Sequence, residues 1–379
     1  MNPDMGQVEA DRQGNRGVGR VMAPRILFLD DDPVIRVLRM VLSDAEHDPW
    51  IRDYFAPEKV DPSRLVKAAK GLRRSDGAAI GLVNDGRFED ATVILFRRGE
   101  VNRELLARHP NLKLIQRLGE RSQDIDLQAA AERGIPVSCL PRQTLHYTAE
   151  HGILLMLALA KRLIASDRAA REGATAAAGL GDLSGVAYNW AGMDANGLYG
   201  KTLGIVGMGE VGFLTARLAC AFGMTILYTK RSRATPEQEA TTGATFVELG
   251  DLLGRSDFVS LNVSNIPENA GFANRSFFAA MRASAFFINT SRGRLVDEDA
   301  LYEALKAGTI AGAGLDAHAV EPRPAGDRFA ALQSVVLTPH IAGGAKSALL
   351  DEFEVAVRNC HAALRGEPVL HEVRATRPS

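Results

Sequence analysis

Short apolar runs alternate along this chain with longer stretches whose apolar residues recur three and four positions apart, and the alternation starts at about residue 25. Strand-like runs fall at Ile26–Leu29, Ala79–Val83, Val93–Phe96, Leu112–Ile115 and Ile135–Cys139, separated by helical segments such as Ser63–Leu72 and Leu127–Arg133. A second series follows at Leu203–Val206, Met224–Tyr228, Phe258–Leu261, Ala285–Asn289, Ala313–Leu315 and Val335–Leu337. Apolar runs this short, alternating with helices, predict parallel sheets covered by helices on their faces.

Between the two series the pattern changes. From Thr144 to about Ala170, His151, Leu154, Leu155, Ala158 and Leu159 lie at helical offsets, over a length that predicts a hinge helix joining two domains. Residues 172–196 are rich in Gly and Ala without a period and read as a surface loop; residues 1–24, polar and aperiodic, read as a disordered tail. At 379 residues and 46% hydrophobic, the chain is too long for one core, so two domains are expected.

The second series holds the most specific signal. In Lys201-Thr-Leu-Gly-Ile-Val-Gly-Met-Gly-Glu-Val-Gly212 an apolar strand stops at glycines spaced G-x-G-x-x-G and turns helical. Gly207 permits the tight turn, Gly209 the close approach of backbone to a pyrophosphate, and Gly212 close packing of the helix on the sheet. The helix opening at Glu210 and Val211 offers unpaired N–H groups to an anion, so all five positions are expected at a dinucleotide.

The next strand ends in Tyr228-Thr229-Lys230-Arg231-Ser232-Arg233. A carboxylate there would accept from the ribose hydroxyls of NAD, whereas a hydroxyl and three cations suit the extra phosphate of NADP. Thr229, Lys230, Arg231 and Arg233 therefore predict NADP as the preferred cofactor, with NAD as the alternative.

Charge and cysteine content narrow the partners. A net charge of −1 gives no broad electrostatic case for nucleic acid or an anionic membrane, and no apolar run reaches the roughly 20 residues of a membrane helix. Cys139, Cys220 and Cys360 are widely spaced without CxxC pairs, so neither a disulfide framework nor a metal site is indicated. A soluble cytoplasmic protein acting on a small molecule is expected.

Three segments follow strand-like runs: Asn289-Thr-Ser-Arg-Gly293, Asp316-Ala-His-Ala-Val-Glu-Pro322 and Thr338-Pro-His-Ile-Ala-Gly343. In open parallel sheets ligands sit beyond the carboxyl ends of the strands, so all three can face one crevice. Carbonyl reduction by hydride needs a proton donor, a cation to hold a carboxylate or polarise the carbonyl, and an acid to keep the donor charged. His340, Arg292 and Glu321 are those three types.

Over about residues 78–345 the chain resembles the D-isomer-specific 2-hydroxyacid dehydrogenases, a family that includes glyoxylate/hydroxypyruvate reductases, D-lactate dehydrogenases and phosphoglycerate dehydrogenases. The resemblance is carried by Asp124-Ile-Asp-Leu127 with Arg133-Gly-Ile-Pro-Val137, by Thr148-Ala-Glu-His151 leading into Leu157-Ala-Leu-Ala160, by the glycine motif, by the run from Asn289 to Asp297, and by the last two segments, all in order. It implies two doubly wound α/β domains joined by hinge helices: a Rossmann nucleotide domain over 142–342, and a flavodoxin-like substrate domain over 25–141 and 343–379.

The resemblance further implies that Arg292 binds a 2-oxo acid, that Glu321 pairs with the acid/base His340, that Asp316 bonds the nicotinamide amide and that Thr290 lines the cofactor. The activity implied is NAD(P)-dependent interconversion of a small 2-oxo acid, of the glyoxylate or hydroxypyruvate kind, with its D-2-hydroxy acid, by a homodimer. The alternative is a corepressor-like dinucleotide-sensing protein with little turnover. The chain departs from the family at Gly119-Glu120-Arg121, where a second glycine is usual in the substrate loop, at Ala317-His318, where an apolar pair is more usual, and at Asn262, where histidine is frequent. Asp30, Asp31 and Asp32 superficially match a receiver-domain acidic pocket, but read more simply as a strand-end turn.

Overall fold

The computed structural model describes residues 24–42, 63–72, 80–82, 90–120, 122–172, 195–344 and 346–375. Residues 1–23 of the polar tail and the 173–194 segment expected to be a loop lie outside them, as does Arg121. The chain divides into two compact units, Met1–Pro141 with Leu350–Ser379, and Arg142–Leu349.

The first unit contains a five-stranded sheet of β1 (Ile26–Phe28), β2 (Ile80–Leu82), β3 (Val93–Phe96), β4 (Leu114–Arg117) and β5 (Val137–Cys139), in the order β2-β1-β3-β4-β5 with every pairing parallel. That order reverses between β1 and β3, which makes the sheet doubly wound in the flavodoxin manner. Its strands are buried on both faces: Leu27, Ile94, Phe96 and Ile115 join one apolar cluster, while Ile26, Phe28, Val93, Leu95 and Leu114 are also fully or almost fully buried. β4 starts two residues later than the apolar run suggests. Leu112 belongs to the turn leaving the Arg103–Arg108 helix, its N–H donating to the His109 carbonyl, and reaches the core from there.

The second unit contains a seven-stranded parallel sheet: β6 (Thr202–Val206), β7 (Thr225–Thr229), β8 (Thr245–Phe246), β9 (Phe258–Leu261), β10 (Phe286–Asn289), β11 (Gly312–Leu315) and β12 (Val335–Leu337), ordered β12-β11-β10-β9-β6-β7-β8. Successive residues go to opposite faces, so Val206, Leu227, Val259 and Phe287 fill one cluster while Ile205, Tyr228, Phe258 and Ile288 fill the other. This is why the runs are uniformly apolar rather than alternating. β8 is missing from the sequence reading because two residues show no period.

The single hinge helix read from the sequence is two helices, Gln143–Ala160 and Leu163–Arg171, broken at Arg162, whose φ is +49°. The apolar stripe stops at Ala160, and the polar Lys161-Arg162 pair gives the helix no buried face on which to continue. No helix among the described residues is long and apolar enough to cross a membrane.

Candidate active site

The strand register of the second unit brings distant segments to one edge. Thr229, Val206, Leu261, Asn289, Leu315 and Leu337 are neighbours in turn across six strands, so the residues that follow each of them emerge at one level. The order reverses between β6 and β9, the place where the two directions of winding part and leave room for a ligand. On that edge lie the glycine turn, the Thr229 loop, and the segments bearing Arg292, Asp316, Glu321 and His340. The strand-end crevices are thus set by hydrogen-bond register, not by side chains.

At the reversal point Gly207 has φ +102°, and a Cβ there would stand 2.6 Å from the Asn262 carbonyl oxygen. A Cβ on Gly212 would run into the Gly207 carbonyl, so the helix lies directly against the strand-end turn. That helix, Glu210–Ala221, has Gly209 as its N-cap, which offers its first-turn amides no side-chain acceptor. Glu210 and Val211 are half-buried beside it. A bare backbone cradle at a helix N-terminus fits the pyrophosphate of a dinucleotide.

The basic loop beyond β7 is divided in its commitments. Arg233 makes a two-pronged pair with Glu239, Nε to Oε1 at 2.8 Å and a terminal nitrogen to Oε2 at 3.0 Å, and Tyr228 donates its hydroxyl to the same carboxylate at 2.5 Å. Hydrogen bonds from Arg233 and then Tyr228 hold Glu239 below the usual carboxylate range. Lys230 and Arg231 are exposed, and neither has an ion-pair partner among the described residues. Thr229 ends the strand half-buried.

Beyond β10, Asn289 shapes the loop. Its Oδ1 accepts from the Ser291 amide at 3.0 Å and the Ser291 hydroxyl at 2.7 Å, and its Nδ2 donates to the Arg292 carbonyl at 3.1 Å. Thr290 is buried and Arg292 is exposed. Gly293 packs on the backbone of His318 and Ala319 so tightly that a Cβ would overlap the His318 carbonyl. The Arg292 loop and the Glu321 loop therefore touch through their main chains.

Asp316, with no exposed surface, holds the last segment. Oδ1 accepts from the Thr338 hydroxyl at 2.6 Å and the Ile341 amide at 2.9 Å, and Oδ2 accepts from the Ala342 amide at 2.9 Å. His151, on the Gln143–Ala160 helix, places Nε2 2.9 Å from Thr338 Oγ1. Because the threonine hydrogen is given to Asp316, Nε2 is the donor in that contact. Burial keeps the His151 imidazole below its ordinary value, only partly opposed by the Asp316 charge.

The clamped loop presents His340 at φ +56°, with Nδ1 2.8 and 2.7 Å from the two oxygens of Glu321. Partial burial disfavours the Glu321 charge, but the His318 amide and the His340 imidazole outweigh it and hold the carboxyl below its ordinary value. Val320 and Ile341, apolar and exposed at 62% and 52%, flank the pair. The arrangement leaves Nε2 of His340 as the nitrogen available to a reacting atom, with the carboxylate fixing the ring behind it.

His318 lies buried beside the His340 turn. It is 6% exposed, with both ring nitrogens engaged: Nε2 with the Thr338 carbonyl at 2.8 Å, Nδ1 with Arg323 Nε at 3.1 Å. Thr338, His151, Arg323 and Glu298 were not singled out as site residues by sequence reasoning. Their roles arise from contacts with Asp316, with His318 and with one another, spanning 5 to 187 residues, and the local signal was Thr338 preceding Pro-His.

In the first unit, Gly119 is buried just beyond β4 with φ +152° and Glu120 is exposed. Asp30 accepts the amides of Arg97 and Arg98 on Oδ2 at 2.8 and 3.0 Å, and Asp32 pairs with the Arg97 guanidinium at 2.5 Å. Two of the three aspartates thus fasten a neighbouring strand end, as a strand-end turn would.

The D-isomer specific 2-hydroxyacid dehydrogenase NAD binding domain matches residues 153–342. A glyoxylate reductase of Thermococcus litoralis is 38% identical over 288 residues, 76% of this chain and 84% of that protein, and one of Korarchaeum cryptofilum is 38% identical over 267 residues, 70% of this chain and 77% of that protein. Among solved structures, a D-mandelate dehydrogenase of Rhodotorula graminis superposes with a TM-score of 0.60 at 27% identity, covering 94% of this chain and 99% of the other.

Proposed function

The chain belongs to the D-isomer specific 2-hydroxyacid dehydrogenase family, and on that premise we propose that it reduces a small 2-oxo acid of the glyoxylate or hydroxypyruvate kind at C2, with NADPH preferred over NADH. It is an oxidoreductase of nicotinamide dinucleotides. The observation that carries the proposed chemistry is the His340–Glu321 pair, two near-equal hydrogen bonds at the sheet edge that also bears Arg292 and the glycine turn.

The bound nicotinamide supplies the hydride. Arg292, exposed at the end of β10, holds the substrate carboxylate with its planar fork and polarises the carbonyl. His340 gives its Nε2 proton to the developing alkoxide, while Glu321, bonded to Nδ1, keeps the imidazole oriented. In the oxidative direction the same nitrogen takes the proton. Val320 and Ile341 exclude water around the pair once ligands are bound. Gly119 and Glu120, with Arg121 outside the described residues, form the proposed substrate loop.

Gly207, Gly209, Glu210, Val211 and Gly212 are the proposed pyrophosphate cradle and Thr290 a wall of the cofactor site. Asp316 is proposed to serve the nicotinamide chiefly through the loop it clamps, because three hydrogen bonds already engage its carboxylate. For the 2′-phosphate of NADP, Thr229, Lys230 and Arg231 are the proposed readers, with Arg233 bracing the loop through Glu239. A homodimer is proposed from the Leu163–Arg171 helix, none of whose side chains is buried and which exposes Leu163 and Ile164.

A panel of 2-oxo acids assayed with NADPH and NADH tests the reading. Turnover of a small 2-oxo acid, faster with NADPH, is expected. No turnover with any member, alongside tight nucleotide binding, would leave the dinucleotide-sensing alternative. Equilibrium sedimentation checks the dimer, with a monomer at micromolar concentration overturning it.

A further inference from the structure

His318 stands two residues from Asp316 and three from Glu321, yet the proton transfer does not use it. Its ring makes two hydrogen bonds of fixed sense. A guanidinium can only donate, so Nδ1 accepts from Arg323 Nε and the ring proton rests on Nε2, which donates to the Thr338 carbonyl. That carbonyl also accepts the His340 amide at 3.0 Å, so both its lone pairs are used in the turn that carries His340. The backbone N–H of His318 meanwhile donates to Glu321 Oε1 at 2.9 Å. One residue thus grips both partners of the His340–Glu321 pair, the carboxylate directly and the imidazole through the turn beneath it.

Arg323 has little freedom to move the ring. Its terminal nitrogens donate to Asp327 at 2.7 Å and Glu298 at 2.6 Å, and its guanidinium lies 4.9 Å from the centre of the Phe329 ring. Glu298 Oε1 also accepts the Ala319 amide at 3.1 Å. His340 needs such support, because φ of +56° is unfavourable for a residue with a side chain and persists only where its surroundings fix it. An apolar side chain at position 318 could fill the same space but would supply neither ring hydrogen bond.

We propose that His318 is a positioning residue for the reduction: locked in one tautomer by Arg323, it holds the Thr338 turn so that His340 meets both Glu321 and the reacting oxygen. This rests on His340 being the proton donor. A displacement of about 1 Å at the reacting atoms can cost on the order of a hundredfold in rate, so the effect belongs in kcat rather than in cofactor binding.

The test compares His318→Phe, His318→Gln and His340→Gln in the full chain, measuring kcat and KM for the best 2-oxo acid and NADPH affinity by fluorescence titration. Expected are a kcat loss of about ten- to a hundredfold in His318→Phe with nucleotide affinity within about twofold of the parent, and recovery of most of that loss in His318→Gln, whose side-chain amide restores a donor to the carbonyl. Wild-type kcat in His318→Phe, or a glutamine variant as impaired as the phenylalanine one, overturns the proposal while leaving His340 as donor untouched. Retained turnover in His340→Gln instead sinks the underlying reading. Should His318→Phe not fold, Arg323→Met is read in its place: a kcat loss with nucleotide affinity kept supports the proposal, and unchanged kcat overturns it.

Discussion

The two units use one device at their strand ends to different effect. In the first, Asp30 at the end of β1 captures the amides of Arg97 and Arg98 beyond the adjacent β3. In the second, Asp316 at the end of β11 captures the amides of Ile341 and Ala342 beyond the adjacent β12. Each carboxylate staples a neighbouring loop by its backbone. The first staple presents arginines, and the Asp32 carboxylate beside it engages both Arg97 and Arg98. The second presents a histidine whose carboxylate partner, Glu321, fixes one ring nitrogen and leaves the other available. A strand-end aspartate is therefore evidence of a fastened loop; what the loop displays, and whether it is neutralised, decides whether chemistry follows.

The largest expected effect separates display from fastening. His340→Gln keeps the staple and removes the proton, so kcat should fall about a thousandfold or more with nucleotide affinity unchanged, measured by steady-state kinetics and titration. Next is Gly293→Ala. Its methyl group would overlap the His318 carbonyl, a backbone atom that cannot step aside, and about 3 kcal/mol of stability should be lost in urea unfolding along with most turnover.

The staples themselves can be compared. Asp316→Asn turns an acceptor toward a donor in a site without solvent and should cost about 2–3 kcal/mol together with a large loss of turnover. Asp30→Asn, in a half-buried setting, should cost about 1 kcal/mol and leave nucleotide affinity unchanged. Equal losses of nucleotide affinity in both would erase the distinction drawn here. A smaller effect distinguishes paired from unpaired cations: Arg231→Ala should cut the NADPH-over-NADH preference about tenfold in kcat/KM, and Arg233→Ala should cut it less.

The smallest effect is a shared one. Each unit buries an imidazole whose pKa burial pushes below the ordinary 6.5: His109, which accepts the Ala91 amide, in the first, and His151 in the second. A depressed histidine value stabilises the fold above 6.5, and that stability is lost as pH falls from 6.5 through the depressed value, because the unfolded chain takes up the proton first. Hydrogen exchange resolved by unit should show both weakening over that window. His109→Gln should flatten the slope in the first unit alone, and His151→Gln in the second.

The fold class was legible because burial on both sheet faces leaves uniformly apolar runs, and the glycine motif was legible because its steric demands are local: Gly207 and Gly212 are excluded from carrying a Cβ by atoms within a few residues or at the adjoining strand end. The types of Arg292, Glu321 and His340 could be named in advance for a similar reason, since titration range and donor geometry belong to the side chain itself. Arg233 looked equal to Arg231 until Glu239, six residues on, was seen to hold it.

What the linear order could not supply was who meets whom. Gly293 against His318, His151 against Thr338 and Arg323 against Glu298 are partners separated by up to 187 residues, brought together by the parallel register of β10, β11 and β12 and the helix packed on them. Hydrogen bonds act over about 3 Å and have direction, so their existence depends on the final position of each atom. Hydrophobic burial is nearly without direction and tolerates approximate placement, which is why its pattern survives in the sequence and the wiring of the site does not.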